Sequence, residues 1–123
     1  HYGHPAGDEC LRLVSSAIAQ SVARPADLPA RYGGEEFACI LPETDLRGAI
    51  AVAHRALEAV RALGIPHRSS SAADHVTVSI GVATTTATDS RSPSHLVEMA
   101  DTALYQAKQS GRNQVKSRWR DER

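Results

Sequence analysis

Residues 31–37 read RYGGEEF: two adjacent glycines, two adjacent carboxylates, then an apolar run through Leu41. A carboxylate held at a turn can ligate Mg²⁺ through its oxygens, and bare glycine backbone beside it lets a nucleotide come close. Glu35 and Glu36 alternate in direction on an extended chain, so only one of them can face a given site. Mg²⁺ takes one or two carboxylates and completes its shell with phosphate oxygens or water, so a single turn supplies half a site. The same four residues would also serve as a solvated hairpin tip, and other segments must decide between the two readings.

The elements that hold this turn follow from periodicity. Residues 28–32 and 37–41 flank Gly33-Gly34 as the arms of a β-hairpin, because Gly-Gly permits the positive φ angles of a tight two-residue turn. Pro42 stops the second arm. Upstream, Cys10, Leu11, Leu13, Val14, Ala17, Ile18 and Val22 recur at helical spacing, with Asp8 as the expected N-cap and Arg24-Pro25 as the end. Downstream, Asp45 or Thr44 caps a long helix carrying Ile50, Val52, Ala53, Ala56, Leu57, Val60 and Leu63, closed by Gly64 and Pro66. The segment HVTVSIGVAT alternates Val76, Val78, Ile80 and Val82 with Thr77, Ser79 and Gly81, which predicts a strand with one strong face. A third helix starts near Ser92-Pro93-Ser94, runs through Leu96, Val97, Met99, Ala100, Ala103, Leu104 and Ala107, and ends with Gly111 at C′. Residues 114–117 add a last short strand, and RSSSAA at 68–73 reads as a surface loop. Helices and strands alternate around one antiparallel hairpin, the pattern of an α/β or α+β sheet covered by helices.

Length and charge bound the rest. The 123 residues suit one domain, and 41% hydrophobic residues can build a core. Fourteen basic and fourteen acidic residues cancel, so no global field recruits nucleic acid or a membrane surface. An anionic ligand must be held by a local cluster. Cys10 and Cys39 are too few for a disulfide scaffold and are expected as two buried free thiols. There is no apolar run of about eighteen residues and no signal-peptide core, which predicts a soluble, cytoplasmic domain whose parent could be anchored through upstream segments. The chain opens on HYGHPAGD and passes straight into a helix, so a first strand is expected upstream of residue 1.

The segments GHPAGDECL, RYGGEEF, VTVSIGVA and ADTALYQAKQSGRN, with their spacing, resemble the GGDEF family of diguanylate cyclases from Tyr2 to about Val115. The resemblance implies a central, mostly antiparallel sheet flanked by helices, similar to nucleotidyl cyclase domains and polymerase palms. It implies condensation of two GTP into cyclic di-GMP with Mg²⁺ or Mn²⁺, each subunit of a homodimer holding one GTP. By the same resemblance Glu35 is the metal ligand and proton acceptor, Glu36 contributes to the metal site, and Gly33 and Gly34 close over the nucleotide. Asp8 accepts hydrogen bonds from guanine, Leu11 lines the base pocket or packs in the core, Lys108 and Arg112 contact the triphosphate, and His4 holds its loop. The remaining histidines (1, 54, 67, 75 and 95) show no metal-ligand spacing and read as surface residues.

A second resemblance lies in RPAD, with five residues between Asp27 and Gly33. It is similar to the family's inhibitory product site, in which Arg24, Asp27 and Arg55 would bind cyclic di-GMP; a guanidinium forks onto phosphate or a guanine edge and the aspartate accepts from the base. The family's first-strand aspartate, and a lysine and asparagine ahead of the GH segment, would all precede His1. Residues 1–117 are accordingly expected to be a GGDEF domain lacking its first strand, inactive by itself, with 118–123 a charged tail and a sensory or receiver domain upstream. The competing reading is a regulatory module that binds cyclic di-GMP or GTP without catalysis.

Overall fold

The computed structural model describes residues 4–22, 27–33, 36–66, 76–85 and 93–119. Their order is α1 (His4–Ser21), β1 (Leu28–Gly33), β2 (Glu36–Ile40), α2 (Leu46–Leu63), β3 (Ile80–Thr84), α3 (Pro93–Gln109) and β4 (Val115–Trp119). The expected loop at 68–73 lies outside the described residues, as do His1, His67 and His75.

Helix α1 starts at His4 and not at Asp8, which therefore lies inside the helix rather than at its N-cap position. The reason is Pro5: its fixed φ and missing N–H suit a first helical turn, so the helix begins ahead of the acid. It also stops earlier than Arg24-Pro25. The Ser21 hydroxyl donates to Ala17 O at 3.0 Å and Val22 N–H donates to Ala19 O at 3.2 Å, a tightened last turn.

In α2 the caps fall where the sequence puts them. Gly48 N–H donates to Asp45 Oδ1 at 2.8 Å, and Gly64 N–H donates to Arg61 O at 3.1 Å. Ala49, Ala53, Ala56, Leu57 and Val60 form its buried stripe. The Asp45 cap satisfies one otherwise unpaired N–H, so Asp45→Ala is expected to lower stability by about 1 kcal/mol, read from the urea midpoint, while Asp45→Ser stays near the parent.

Helix α2 sits between two apolar clusters. On one side Val60 packs with Val14 and Ala17 of α1, ringed by Ile18, Ile65, Val76 and Val78. On the other, Ala49 and Ala53 pack with Val82, ringed by Ile50, Ile80 and Val115. The strand expected from Val76 begins only at Ile80, because pairing begins there: Ile80 faces Val115. Val76 and Val78 still enter the core from an irregular segment, with Val76 N–H donating to Ile65 O at 2.6 Å.

Among the described residues the strands form two two-stranded pieces, antiparallel β1–β2 and parallel β3–β4. The hairpin is the antiparallel piece expected, and β3–β4 is a parallel one. Parallel neighbours need a long crossover, and α3 provides it. Strand β4 runs on to Trp119, so the first two residues of the expected tail belong to the sheet. Cys10 is half-buried against the first cluster, but Cys39 is exposed, contrary to the expectation of a buried thiol. Its neighbour Ile40 is 61% exposed, and since successive strand residues face opposite sides, both faces of this end of β2 are uncovered among the described residues.

Candidate functional site

The hairpin that carries the acidic pair is in register from Leu28↔Ile40 to Gly33↔Glu36. Between Arg31↔Phe37 and Gly33↔Glu36 the first strand advances two residues and the second only one, so Tyr32 is the extra residue of a bulge. The closing pair is thus Gly33↔Glu36. Gly33 is a strand residue rather than a turn residue, and positions 34 and 35 stand between the paired ends. Gly34, Glu35 and the Glu36 side chain lie outside the described residues. The donor set fits a hard divalent cation, since carboxylate oxygens are what Mg²⁺ and Mn²⁺ prefer. Among the described residues no group of three or more His, Cys, Asp and Glu could enclose a metal ion.

The residues expected on the nucleotide lie on three elements. Asp8 is on α1, with its side chain outside those described, and Leu11 follows at i+3 on the same face, half-buried. Lys108 lies in the last turn of α3, where a cation also complements the helix dipole. Arg112 follows the helix in a Schellman ending: Arg112 N–H donates to Ala107 O at 2.9 Å, and Gly111 N–H reaches Lys108 O at 3.5 Å. Gly111 has φ 115°, a value that a Cβ would make costly, which is why the C′ position is glycine. Both Lys108 and Arg112 are exposed, and among the described residues neither side chain makes a hydrogen bond or ion pair. Two cations one turn apart and open to solvent can receive a polyphosphate.

For the second site, Arg24 lies outside the described residues. Arg55 of α2 donates through Nη2 to Ser21 O at 3.4 Å, three residues ahead of Arg24. It lines an open groove of about 660 Å³ between α1 and α2, with Ser16, Gln20 and Glu58. Asp27 is half-buried at the start of β1. Desolvation raises the Cys39 thiol pKa, and the Asp27 carboxylate raises it further.

Residue-level reading missed Arg61 and gave Asn113 no role. Arg61 donates from Nε to Asn113 Oδ1 at 2.9 Å and from Nη2 to Asn113 O at 3.3 Å. Its Nη1 donates to Glu58 Oε2 at 2.5 Å. The i, i+3 spacing of Glu58 and Arg61 signals a surface pair; nothing in the sequence signals a partner 52 positions away.

The antiparallel hairpin, the exposed cations at the end of α3 and the helices packed on β3 and β4 make this an α/β domain. The chain belongs to the GGDEF family: the family described as "Diguanylate cyclase, GGDEF domain" matches residues 1–114. Diguanylate cyclase A of Treponema denticola is 45% identical over 114 residues, covering 93% of this chain and 30% of that protein. Response regulator PleD of Caulobacter vibrioides is 44% identical over 116 residues, covering 93% of this chain and 25% of that protein. Among solved structures, the GGDEF domain of DgcB from Caulobacter crescentus in complex with c-di-GMP superposes with a TM-score of 0.81 at 36% identity, over 94% of this chain and 67% of that one. The chain spans about a quarter to a third of the length of these curated relatives. No described helix is long and apolar enough to cross a membrane.

Proposed function

We propose that the protein carrying this domain condenses two GTP into cyclic di-GMP and two pyrophosphates as a homodimer, one GTP per subunit. The 3′-oxygen of each GTP forms a bond to the α-phosphorus of the other, and the bond from that phosphorus to pyrophosphate breaks. Glu35 takes the proton from the 3′-hydroxyl, Asp8 accepts from guanine N1–H and N2–H₂, and Leu11 lines the base. Lys108 and Arg112 hold the triphosphate. A bound Mg²⁺ or Mn²⁺ on Glu35 and Glu36 would neutralise phosphate charge, the usual main source of acceleration in phosphoryl transfer. The observation that carries this reading is the hairpin register: the bulge at Tyr32 and the closing pair Gly33↔Glu36 leave Glu35 between the paired ends, next to Gly34. The test is chromatography of products from the full-length protein with GTP and Mg²⁺. Cyclic di-GMP is the expected product, and its absence from an otherwise folded, GTP-binding preparation rejects catalysis in favour of a sensing role. An upstream sensory or receiver domain, as the name of the PleD relative suggests, would control dimer formation.

The same reading includes product inhibition through Arg24, Asp27 and Arg55. It is supported by Arg55 lying against Ser21, just ahead of Arg24, and by the DgcB relative having been solved with c-di-GMP. Hydrogen bonds from a charged donor contribute about 1.5–3 kcal/mol, so Arg24→Ala should weaken cyclic di-GMP binding by about tenfold or more. Calorimetry giving the parent affinity for the Arg24→Ala protein removes the assignment.

A further inference from the structure

We infer that Arg61 is a positioning residue that fixes the Arg112 turn for polyphosphate binding, an inference that rests on Lys108 and Arg112 holding the triphosphate. After Gly111 the backbone stays left-handed at two side-chain-bearing residues, Arg112 (φ 64°) and Asn113 (φ 52°). Such conformations are disfavoured for non-glycine residues and persist where surroundings hold them. Three sets of bonds hold this turn. Arg112 N–H is bound to Ala107 O at 2.9 Å, from within α3. Gln114 Nε2 donates to Ser110 O at 2.9 Å and to Arg112 O at 3.0 Å, and Ile80 N–H from β3 donates to Gln114 O at 3.0 Å. The third comes from α2, where Arg61 grips both the side-chain and main-chain oxygens of Asn113.

The guanidinium of Arg61 has all three nitrogens engaged, two on Asn113 and one on Glu58. It is thereby committed inside the protein, while Arg112, one residue from the gripped asparagine, is exposed and makes no side-chain bond among the described residues. The division of labour follows: Arg61 sets the backbone and Arg112 meets the ligand. A lysine at 61 would keep the charge but not the fork, since an ammonium cannot match two oxygens in one plane.

Binding of 3′-deoxy-GTP with Mg²⁺, which cannot form the phosphodiester, and of guanosine should be measured on the full-length protein and on Arg61→Ala, Arg61→Lys, Asn113→Ala, Arg61→Ala/Asn113→Ala and Arg112→Ala variants. Outer partners that orient ligand-holding groups typically cost about 10- to 100-fold in affinity when removed, so 3′-deoxy-GTP should bind at least about tenfold more weakly to Arg61→Ala, Arg61→Lys and Asn113→Ala. Guanosine affinity should not change, and the double variant should be no worse than either single change, as expected of one interaction removed twice. Full 3′-deoxy-GTP affinity in Arg61→Ala, with loss in Arg112→Ala, overturns the clamp alone. Full affinity in both overturns the triphosphate reading and the clamp with it. Retention in Arg61→Lys, or equal loss of guanosine, also overturns it, the first by making Arg61 a simple charge and the second by making it a general support of the fold.

Discussion

Glu35→Gln in the full-length protein is expected to reduce conversion of GTP to cyclic di-GMP by about 10²- to 10³-fold, the usual cost of removing a group that stabilises developing charge. Glutamine has the same shape but loses two capacities at once. It carries no negative charge to hold a divalent cation, and it cannot accept the 3′-hydroxyl proton near neutral pH. The hairpin should be unaffected, since its register depends on backbone pairing from Leu28↔Ile40 to Gly33↔Glu36. Guanosine binding, assigned to Asp8 and Leu11 on α1, should likewise persist. Turnover and base binding therefore separate in this variant. An undiminished rate in Glu35→Gln would reject the acid's role, and a parallel loss of guanosine binding would show that the hairpin had been disturbed instead. Glu36→Gln provides the comparison. Glu36 is the strand residue of the closing pair whereas position 35 lies between the paired ends, so a milder effect at 36 than at 35 identifies which acid meets the nucleotide.

How much of this could be read before folding depends on the range of each interaction. The hairpin was legible because its determinants are local: two glycines between alternating arms. The Asp45 cap was legible for the same reason, being a bond to Gly48 three residues on. Asp8 misled because two local signals competed. An acid ahead of a helical pattern suggests a cap, but Pro5, which favours a first turn, lies nearer the N-terminus. The Arg61–Asn113 contact joins the end of α2 to the turn after α3, 52 positions apart, and leaves no periodic trace. Cys39 reads as a core residue from its apolar neighbours, yet exposure at β2 is set by what packs above the strand, which its own sequence does not encode. Family resemblance supplied the expected roles of Lys108 and Arg112; the structure adds the Schellman turn that ends the helix between them.

Gly81→Ala is expected to cost about 3 kcal/mol or more of folding stability, at the upper end of the overpacking range. In the alternation around β3 the glycine occupies the face that looked weak, opposite Ile80 and Val82, and that face is covered by α3. A Cβ added at Gly81 would lie 2.2 Å from Ala100 O, 2.3 Å from Leu104 N and 2.8 Å from Leu104 Cα. All three are backbone atoms, so no side-chain rotation relieves the overlap; the helix itself must move away by roughly an ångström to restore ordinary contact. The residues anchoring α3 resist this, because Ala103 and Ala107 have no exposed surface and Met99 has 7%. Gly48→Ala in α2 is the matched control. Its new Cβ would meet only side-chain atoms, Thr44 Cγ2 at 3.0 Å and Asp45 Oδ1 at 3.2 Å, and alanine is favoured over glycine in a helix by about 1 kcal/mol. Urea unfolding should therefore show a large drop for Gly81→Ala and a change within about 1 kcal/mol for Gly48→Ala. Similar midpoints for Gly81→Ala and the parent would mean that α3 does not press on the strand. Where Gly81→Ala still folds, the displaced helix carries Lys108 and Arg112 with it, so affinity for 3′-deoxy-GTP should fall along with stability. Both losses would follow from one methyl group placed on the strand face beneath Ala100 and Leu104, in the middle of the helix.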